Sequence, residues 1–539
     1  MAISHQSMNG NSRAKCQCRL RQAACVRYSC GSRTQRCSAV VDLLMVRGDV
    51  VTTAGAHLPS AISPQKVQMT MDNHRRRNTA AQTSDSAPHS PESTISRKIT
   101  FRIVPMLFLG ALLSYVDRTN IGVAKLEMQA DLGLTEAAFG LGAGIFFIAY
   151  VLFEVPSNIA LHRLGARIWI ARIMVTWGLI TALMSLVDNL WMFYGMRFLL
   201  GAAEAGLLPG VVYYLTRWVP SANRGRILGL FFLAIPVASA IGSPLTSTLM
   251  SLQPWGLTGW QFMFIAEGLP CLLLAVVILK FLPNEPSDAR WLDASEVQWI
   301  TNKIRQENPD TTGNGIGHSS WTDGLKNYRV LMLSVVYFSM VVPIYLMGFF
   351  LPSIIKEMTG GTIGTIGIGY IAAVPYIFTG IAMVLISRSS DRTQERMWHF
   401  AVPTLIGASG WVVAAATVSS NPFVAAIAIC VGTVGAMATI PTFWTTAPKV
   451  VSGAAAASGI ALISSIGNIG GFVSPYMFGI IRDAFPGDAG NRLSFLVGAI
   501  VLGVGGILMI TISKTLPSTT NTLPSTTSKD AKFAQLQHD

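Results

Sequence analysis

Ser114-Tyr115-Val116-Asp117-Arg118-Thr119-Asn120-Ile121-Gly122 closes a run of about twenty mostly apolar residues that begins near Arg102. A run of that length crosses the hydrocarbon core of a bilayer as a single helix. An acid and a base side by side inside such a helix each cost about 2.5–3.5 kcal/mol at the bilayer centre. Ionisable residues are rare there, and by default they point to function.

The composition around this stretch has the same character. The chain has 539 residues, 51% hydrophobic and only 12% charged, with a mean hydropathy of +0.47. A soluble domain carries about twice that charged fraction. From Arg102 onward the sequence holds twelve apolar stretches of helical length, at 102–123, 137–160, 168–188, 190–215, 226–250, 262–282, 330–355, 363–387, 398–418, 422–446, 454–481 and 492–513. The fold class that follows is an all-α membrane protein, with twelve transmembrane helices in two six-helix bundles. One bundle is expected at 99–282 and the other at 330–515, joined by a polar linker at 283–329 that contains a short helix around Ala294–Glu307. Bundles of this kind contain inverted three-helix repeats with a substrate site between them.

Loop charge sets the orientation. Arg163, Arg167, Arg172, Arg217, Arg224, Arg226, Arg388, Arg392, Arg396 and Lys449 fall on one side, whereas the other holds only Lys125, Lys356, Arg482 and Arg492. Positive charge stays inside, so both termini are expected in the cytoplasm.

The formal charge of +13 is uneven. Residues 1–98 carry fourteen Lys/Arg against five Asp/Glu, and the other 441 residues only +4. The basic balance therefore speaks for membrane orientation rather than for nucleic acid. Residues 1–98 read as a disordered basic tail, and 516–539 as a second disordered tail. The N-terminal tail has three readings: a transit peptide, a basic arm on anionic lipid, or an upstream extension of a chain whose translation starts at Met69 or Met71. The last is favoured, because Met71 leaves a short polar leader directly before the first span. Five of the seven cysteines (Cys16, Cys18, Cys25, Cys30, Cys37) lie in this tail, in no zinc-ligand spacing.

In the fourth span Arg197 and Glu204 are seven residues apart. At 100° per residue they share one helix face, two turns apart. Glu204 stands among Gly201, Ala202, Ala203, Ala205 and Gly206. Small neighbours admit substrate or water, and apolar surroundings penalise a bare charge, so Glu204 is a candidate proton carrier. The structural alternative is an ion pair between Arg197 and Glu204 or with a neighbouring helix. Arg118 is the candidate for gripping a substrate carboxylate, since guanidinium stays charged and binds carboxylate through two parallel hydrogen bonds. Asp117 either neutralises Arg118 when substrate is absent or takes a proton itself. In the C-terminal half, Asn468 sits between Gly467 and Gly470, while Tyr345 and Trp444 offer apolar walls. For these three, packing is as good a reading as substrate contact.

Several stretches together resemble a known family: Tyr115-Val-Asp-Arg-Thr-Asn-Ile-Gly-Val-Ala124, Phe153-Glu-Val-Pro-Ser-Asn158, His162-Arg-Leu-Gly-Ala-Arg167, Arg197-Phe-Leu-Leu-Gly-Ala-Ala-Glu-Ala-Gly206, Gly259-Trp-Gln-Phe-Met-Phe-Ile-Ala-Glu-Gly-Leu-Pro270 and Gly467-Asn-Ile-Gly-Gly-Phe-Val-Ser-Pro475. From about residue 97 to 515 the chain resembles the major facilitator superfamily, and within it the anion:cation symporters of the bacterial organic-acid branch. The resemblance implies that Asp117, Arg118, Arg197 and Glu204 serve proton coupling and anion binding, and that Tyr115 lines the same cavity. The loops His162-Arg163 to Arg167 and Asp391-Arg392 to Arg396 correspond to inner-gate elements, although the superfamily's usual Asp is replaced here by His162. Glu154 and Glu267 are read as gate or packing partners. Ile235 to Pro244 lacks the Gly-Pro-x-x-Gly-Gly element of the superfamily's antiporters, which speaks for uptake.

The expected protein is a proton-coupled importer of small organic anions such as tartrate, sugar acids, phthalate or hydroxyphenylacetate. It would work as a monomer in the bacterial inner membrane, in contact with lipid, and would need no cofactor beyond the proton gradient. There is no P-loop, and no cluster at catalytic or metal-ligand spacing, so neither an ATP-driven pump nor an enzyme is expected. The rival readings are an exporter or antiporter of organic anions or drugs, and a receptor that binds a nutrient without transporting it.

Overall fold

The computed structural model describes residues 91–307, 327–450 and 456–515. The expectations for residues 1–90, for 308–326 of the linker and for 516–539 lie outside the described residues. The N-terminal bundle comprises α1 (Pro91–Asp131), α2 (Glu136–Leu164), α3 (Ala166–Leu183), α4 (Leu190–Glu204), α5 (Leu207–Thr216), α6 (Ser221–Ser251) and α7 (Gly259–Phe281). A short helix α8 (Ala294–Glu307) follows. The C-terminal bundle comprises α9 (Tyr328–Met358), α10 (Thr365–Thr393), α11 (Met397–Thr417), α12 (Pro422–Met437), α13 (Ile440–Val450), α14 (Ala456–Ala484) and α15 (Asp488–Thr515). Among the described residues, twelve spans are long and apolar enough to cross a membrane, with α4–α5 and α12–α13 each forming one. Helices suit this solvent because every backbone polar group is satisfied within the segment.

Local sequence sets the helix starts. The side chains of Thr135, Asn189 and Asn421 accept from backbone N–H groups in the first turns of α2, α4 and α12. At the start of α7, Thr258 and Gln261 form a capping box. The first helix begins at Pro91, eight residues before the expected bundle boundary, and its Lys98 is tied to Glu296 of α8 at 2.7 Å. That hydrogen bond from Lys98, supported by the backbone N–H of Asp293, holds the Glu296 carboxyl below its ordinary range.

Spans four and ten differ from the continuous helices expected of them. Pro209 stands five residues after Glu204, and Pro441 four residues after Met437. A proline ring clashes with the carbonyl four residues earlier and offers no N–H to it. The helix stops at Glu204 and at Met437 and restarts at Leu207 and Ile440, with each proline in the first turn of the new helix, where it is tolerated. At the first break Gly206 takes φ +87°, which a side chain at this position would strain. Both breaks fall at corresponding places in the two halves, a pattern that marks substrate sites in transporters built from repeats.

The two bundles meet along α1–α9, α2–α14 and α6–α10. The α2–α14 crossing is close. A Cβ on Gly140 would run into the carbonyl of Pro475, and one on Gly479 into the backbone of Glu136 and Ala137. At the end remote from α8, charges bridge the bundles. Glu136 of α2 accepts from Lys125 at 2.6 Å, from Gln129 at 3.0 Å and from Arg482 of α14 at 3.0 Å. Arg482 also donates to Glu357 of α9 and Asn491 of α15. Asp483 of α14 accepts from the backbone N–H groups of Glu136 and Ala137 at 2.9 and 2.8 Å, so one bundle caps a helix of the other. Lys125 is fully buried, over the rings of Phe139 and Phe350. Beside this bridge lies a cavity of about 610 Å³ lined by Lys125, Leu126, Gln129, Glu136, Lys356 and Glu357 among others. At the α8 end, Arg217–Glu285 stays within the N-terminal half and Asp391–Arg396 within the C-terminal one.

Arg482→Gln leaves Glu136 and Glu357 without their shared cation. Breaking a fully buried pair costs about 3–5 kcal/mol, and the partial exposure of both acids reduces that. A cysteine introduced at Leu126 is expected to react with a water-soluble maleimide roughly tenfold faster in this background, since tenfold corresponds to about 1.4 kcal/mol. An unchanged rate would show that the bridge does not keep this end closed.

Candidate functional site

The candidate site is built where α1, α2, α4 and α9 come together. Arg118 and Asp117 are adjacent on α1, so their side chains leave the helix about 100° apart. That angle sends them to different neighbours.

Arg118 turns to Glu204 at the broken end of α4. Its Nε and Nη2 donate to Glu204 Oε1 at 2.8 and 2.6 Å, and Ser114, one turn earlier on α1, donates to the same oxygen. Glu204 is completely buried, and its second oxygen, Oε2, has no hydrogen-bond partner. The remaining face of the guanidinium is aromatic. Tyr150 lies 4.8 Å from it, Tyr115 5.2 Å and Phe146 5.4 Å. Arg118 Nη1 reaches across to the hydroxyl of Tyr345 on α9 at 3.4 Å, so this cation touches both bundles. Tyr345 in turn packs edge-on against Phe147 at 4.4 Å and stacks on Phe349 at 5.6 Å.

Asp117 turns the other way, to α3. It accepts from Trp177 Nε1 and Thr181 Oγ1, both at 2.9 Å. Of the two roles open to Asp117, neutralising Arg118 is not seen: the counter-ion of Arg118 is Glu204. The ion pair of Arg197 with Glu204, the structural alternative, is not formed; Glu204 pairs with Arg118 of a neighbouring helix instead. Arg197, buried on α4 two turns before Glu204, donates to the backbone carbonyls of Gly142 and Ala143 at 3.4 Å and sits over Phe146. Its Nη1 has no partner. A shared face on one helix places two side chains on the same side, but Arg118 is better placed to reach the carboxylate.

The C-terminal half supplies a neutral wall. Trp444, on α13 just past the second break, meets Tyr337 edge-on at 5.0 Å, and Tyr337 stacks on Phe443 at 5.3 Å. Gly467 abuts the Tyr337 ring, and its neighbour Asn468 is half-buried. Among the described residues the Asn468 amide makes no hydrogen bond. Tyr345 is therefore brought to Arg118, whereas Trp444 and Asn468 join it only through the wall around Tyr337.

The gate loops stand apart, at the α8 end. His162 packs tilted against the Tyr213 ring at 3.9 Å, the backbone N–H of Arg167 donates to Asn284 at 2.9 Å, and Arg163 and Arg392 are exposed. Arg396 donates to Asp391 at 2.9 Å and to Thr445 of α13 at 3.1 Å, tying the second loop to the broken span. Glu267, read as a gate or packing partner, lies inside the bundle, bonded by Asn120 and Thr246.

Ser114, Tyr150 and Tyr337 were not singled out from the sequence. Ser114 had a signal, its place one turn before Arg118. Tyr150 and Tyr337 had none, because only helix packing brings them in.

Comparison with known proteins agrees with this architecture. Residues 107–475 match the family model described as Major Facilitator Superfamily. A candidate tartrate transporter of Agrobacterium vitis is 43% identical over 80% of this chain and 94% of its own length. A quinolone resistance transporter of Acinetobacter baumannii is 39% identical over 77% of this chain and 94% of its own. Among solved structures, a D-xylose-proton symporter shares the fold with a TM-score of 0.60 at 16% identity, over 78% of this chain and 98% of that one. The chain belongs to the major facilitator superfamily, as a multi-pass membrane transporter and not an enzyme.

Proposed function

We propose that the protein carries small organic anions into the cell together with protons, by alternating access. The observation that carries this reading is the pairing of Arg118 with one oxygen of Glu204, while the other Glu204 oxygen is left without a partner. A proton on Glu204 removes the charge that holds Arg118. The guanidinium then has its bidentate face free for a substrate carboxylate, inside an aromatic box that excludes water. Loss of the proton restores the pair and expels the anion, so proton and anion bind together and leave together.

The candidate tartrate transporter among the relatives supports a carboxylate as substrate, and tartrate, sugar acids, phthalate and hydroxyphenylacetate all fit the chemistry. Tyr345 would contact the anion from the C-terminal half, with Tyr337, Trp444 and Asn468 shaping the space for the rest of it. With the α8 end in the cytoplasm, as the positive-inside distribution requires, the Glu136–Arg482–Glu357 bridge closes the outer side. The arrangement is then one that faces inward. The loops at His162–Arg167 and Asp391–Arg396 would close the opposite side in the outward-facing state.

The quinolone resistance relative favours a second reading, export of an organic molecule in exchange for protons. The direction of net flux under an imposed pH gradient separates the two. Inward accumulation from an acidic exterior supports uptake, and outward movement supports export.

Two substitutions test the central pair. Glu204→Gln leaves Arg118 without a competing carboxylate at any pH. Carboxylate binding should no longer require a proton at this position, and accumulation against a gradient should disappear. Accumulation by this variant would remove Glu204 from coupling. Arg118→Ala should raise the apparent dissociation constant for a carboxylate about 10- to 100-fold, since a hydrogen bond to a charged group contributes about 1.5–3 kcal/mol. Equal affinity in titration calorimetry would place the anion elsewhere.

A further inference from the structure

Arg118 is not the last cation on its face of α1. Lys125 follows seven residues later, so the two share one face, two turns and about 10 Å apart. Lys125 repeats the surroundings of Arg118. Its Nζ donates to one oxygen of a glutamate from the same bundle, Glu136 at 2.6 Å, as Arg118 does to Glu204. Rings cover the rest, with Phe139 5.1 Å and Phe350 4.5 Å from Nζ. Phe350 belongs to α9, as does Tyr345, which meets Arg118. An ammonium has three N–H donors. Among the described residues Glu136 is the one oxygen acceptor that Lys125 meets, so the ammonium has capacity left for an anion.

Two observations connect this lysine to a ligand. The first is the cavity of about 610 Å³, a small-molecule volume, with Lys125, Gln129, Ser353 and Lys356 on its wall. The acids beside it are engaged, Glu136 by Lys125, Gln129 and Arg482, and Glu357 by Arg482 and Asn491. Lys356 is exposed at the rim and forms no ion pair among the described residues, so Lys125, Lys356 and Arg482 outnumber the two acids. The second is the contact between the two cations. Gly122, one turn beyond Arg118 on the same face, meets α9 backbone to backbone. A Cβ there would run into the carbonyl of Gly348 and the backbone of Phe349. The barrier between Lys125 and Arg118 is thus a pair of glycines with no side chain in it, and parting α1 from α9 opens the way from one cation to the other.

We propose that Lys125 is an outer docking site for the substrate carboxylate, which then steps two turns along α1 to Arg118. This rests on the uptake reading above, which places this end outside. Separation of the bundles takes Phe350 and Arg482 away with α9 and α14, while Glu136 stays on α2 beside Lys125. The ammonium is then uncovered on one side, and an anion arriving in the cavity accepts its spare N–H groups. The contact at Gly122 parts in the same movement, so docking and descent share one conformation. Lys356 at the rim draws the anion in, and Lys125 binds it.

The test uses the full-length protein in right-side-out proteoliposomes with an inward proton gradient. The probe is whichever of tartrate, gluconate, phthalate and hydroxyphenylacetate the parent takes up fastest. Lys125→Gln is expected to raise the external KM about tenfold and to keep the maximal rate within about twofold. The dissociation constant of the detergent-solubilised, inward-facing protein should stay unchanged in calorimetry. Glu136→Gln breaks the same bridge but frees the ammonium, so it should lower KM. A KM raised as much by Glu136→Gln as by Lys125→Gln makes the lysine a brace for the bridge and overturns the docking site. An unchanged KM in Lys125→Gln overturns it too. If that variant does not reach the membrane, Lys356→Gln on the exposed rim is expected to raise KM about threefold, and an unchanged KM there overturns the site. In each of these failures uptake itself stands. A parent that takes up none of the four acids overturns the uptake reading and the docking site together.

Discussion

The Arg118–Glu204 ion pair is the interaction on which the interior depends. Neither charge is tolerable alone at that depth, so helices α1 and α4 must bring them together. The pair is satisfied on one side only. Three donors crowd one carboxylate oxygen and leave the other bare, and the guanidinium keeps a nitrogen free for Tyr345 of the opposite bundle. A fully satisfied ion pair would act as a structural rivet. One with an open oxygen and a cation that touches both halves can change partners, which suits the alternating mechanism proposed for this chain.

The break in α4 is part of the same arrangement. The helix ends at Glu204, so the carboxylate stands at a helix terminus rather than on a continuous wall. The corresponding span ends at Met437, and α13 then carries Trp444 and Thr445, the latter bonded to Arg396 of the loop between α10 and α11. Each half thus has a span divided into a packed segment and a shorter one linked to a loop at the α8 end. The opposite end is held differently, by the close α2–α14 crossing at Gly140 and Gly479 and by a bridge of buried and half-buried charges centred on Arg482. Closure there combines van der Waals contact, which needs glycine, with ion pairs that need both bundles present.

Much of the fold was legible in residue patterns. The apolar runs, the loop arginines and the Asp117–Arg118 stretch pointed to two six-helix bundles and to span-four acid chemistry. The helix at Ala294–Glu307 was also readable, as a short helix inside the polar linker. What was missed has a common origin. The breaks at Pro209 and Pro441 are encoded locally, but an apolar count over twenty residues passes over them. Tyr150, Tyr337 and the Glu267 contact are encoded nowhere locally, since their partners are dozens to hundreds of residues away.

Sequence alone determined which residues enter the membrane, because transfer of side chains into hydrocarbon is a property of each residue and of its run length. It also determined that Asp117, Arg118, Arg197 and Glu204 needed partners, since a lone charge in lipid is costly wherever it sits. Only the tertiary structure decided the partners. Arg118 found Glu204 instead of Asp117, Asp117 found Trp177 and Thr181, and Arg197 found carbonyls of α2. The reason is geometric. Neighbours on one helix diverge by 100°, so each charge reads the surface of a different packed helix, and that surface exists only once the bundle has formed.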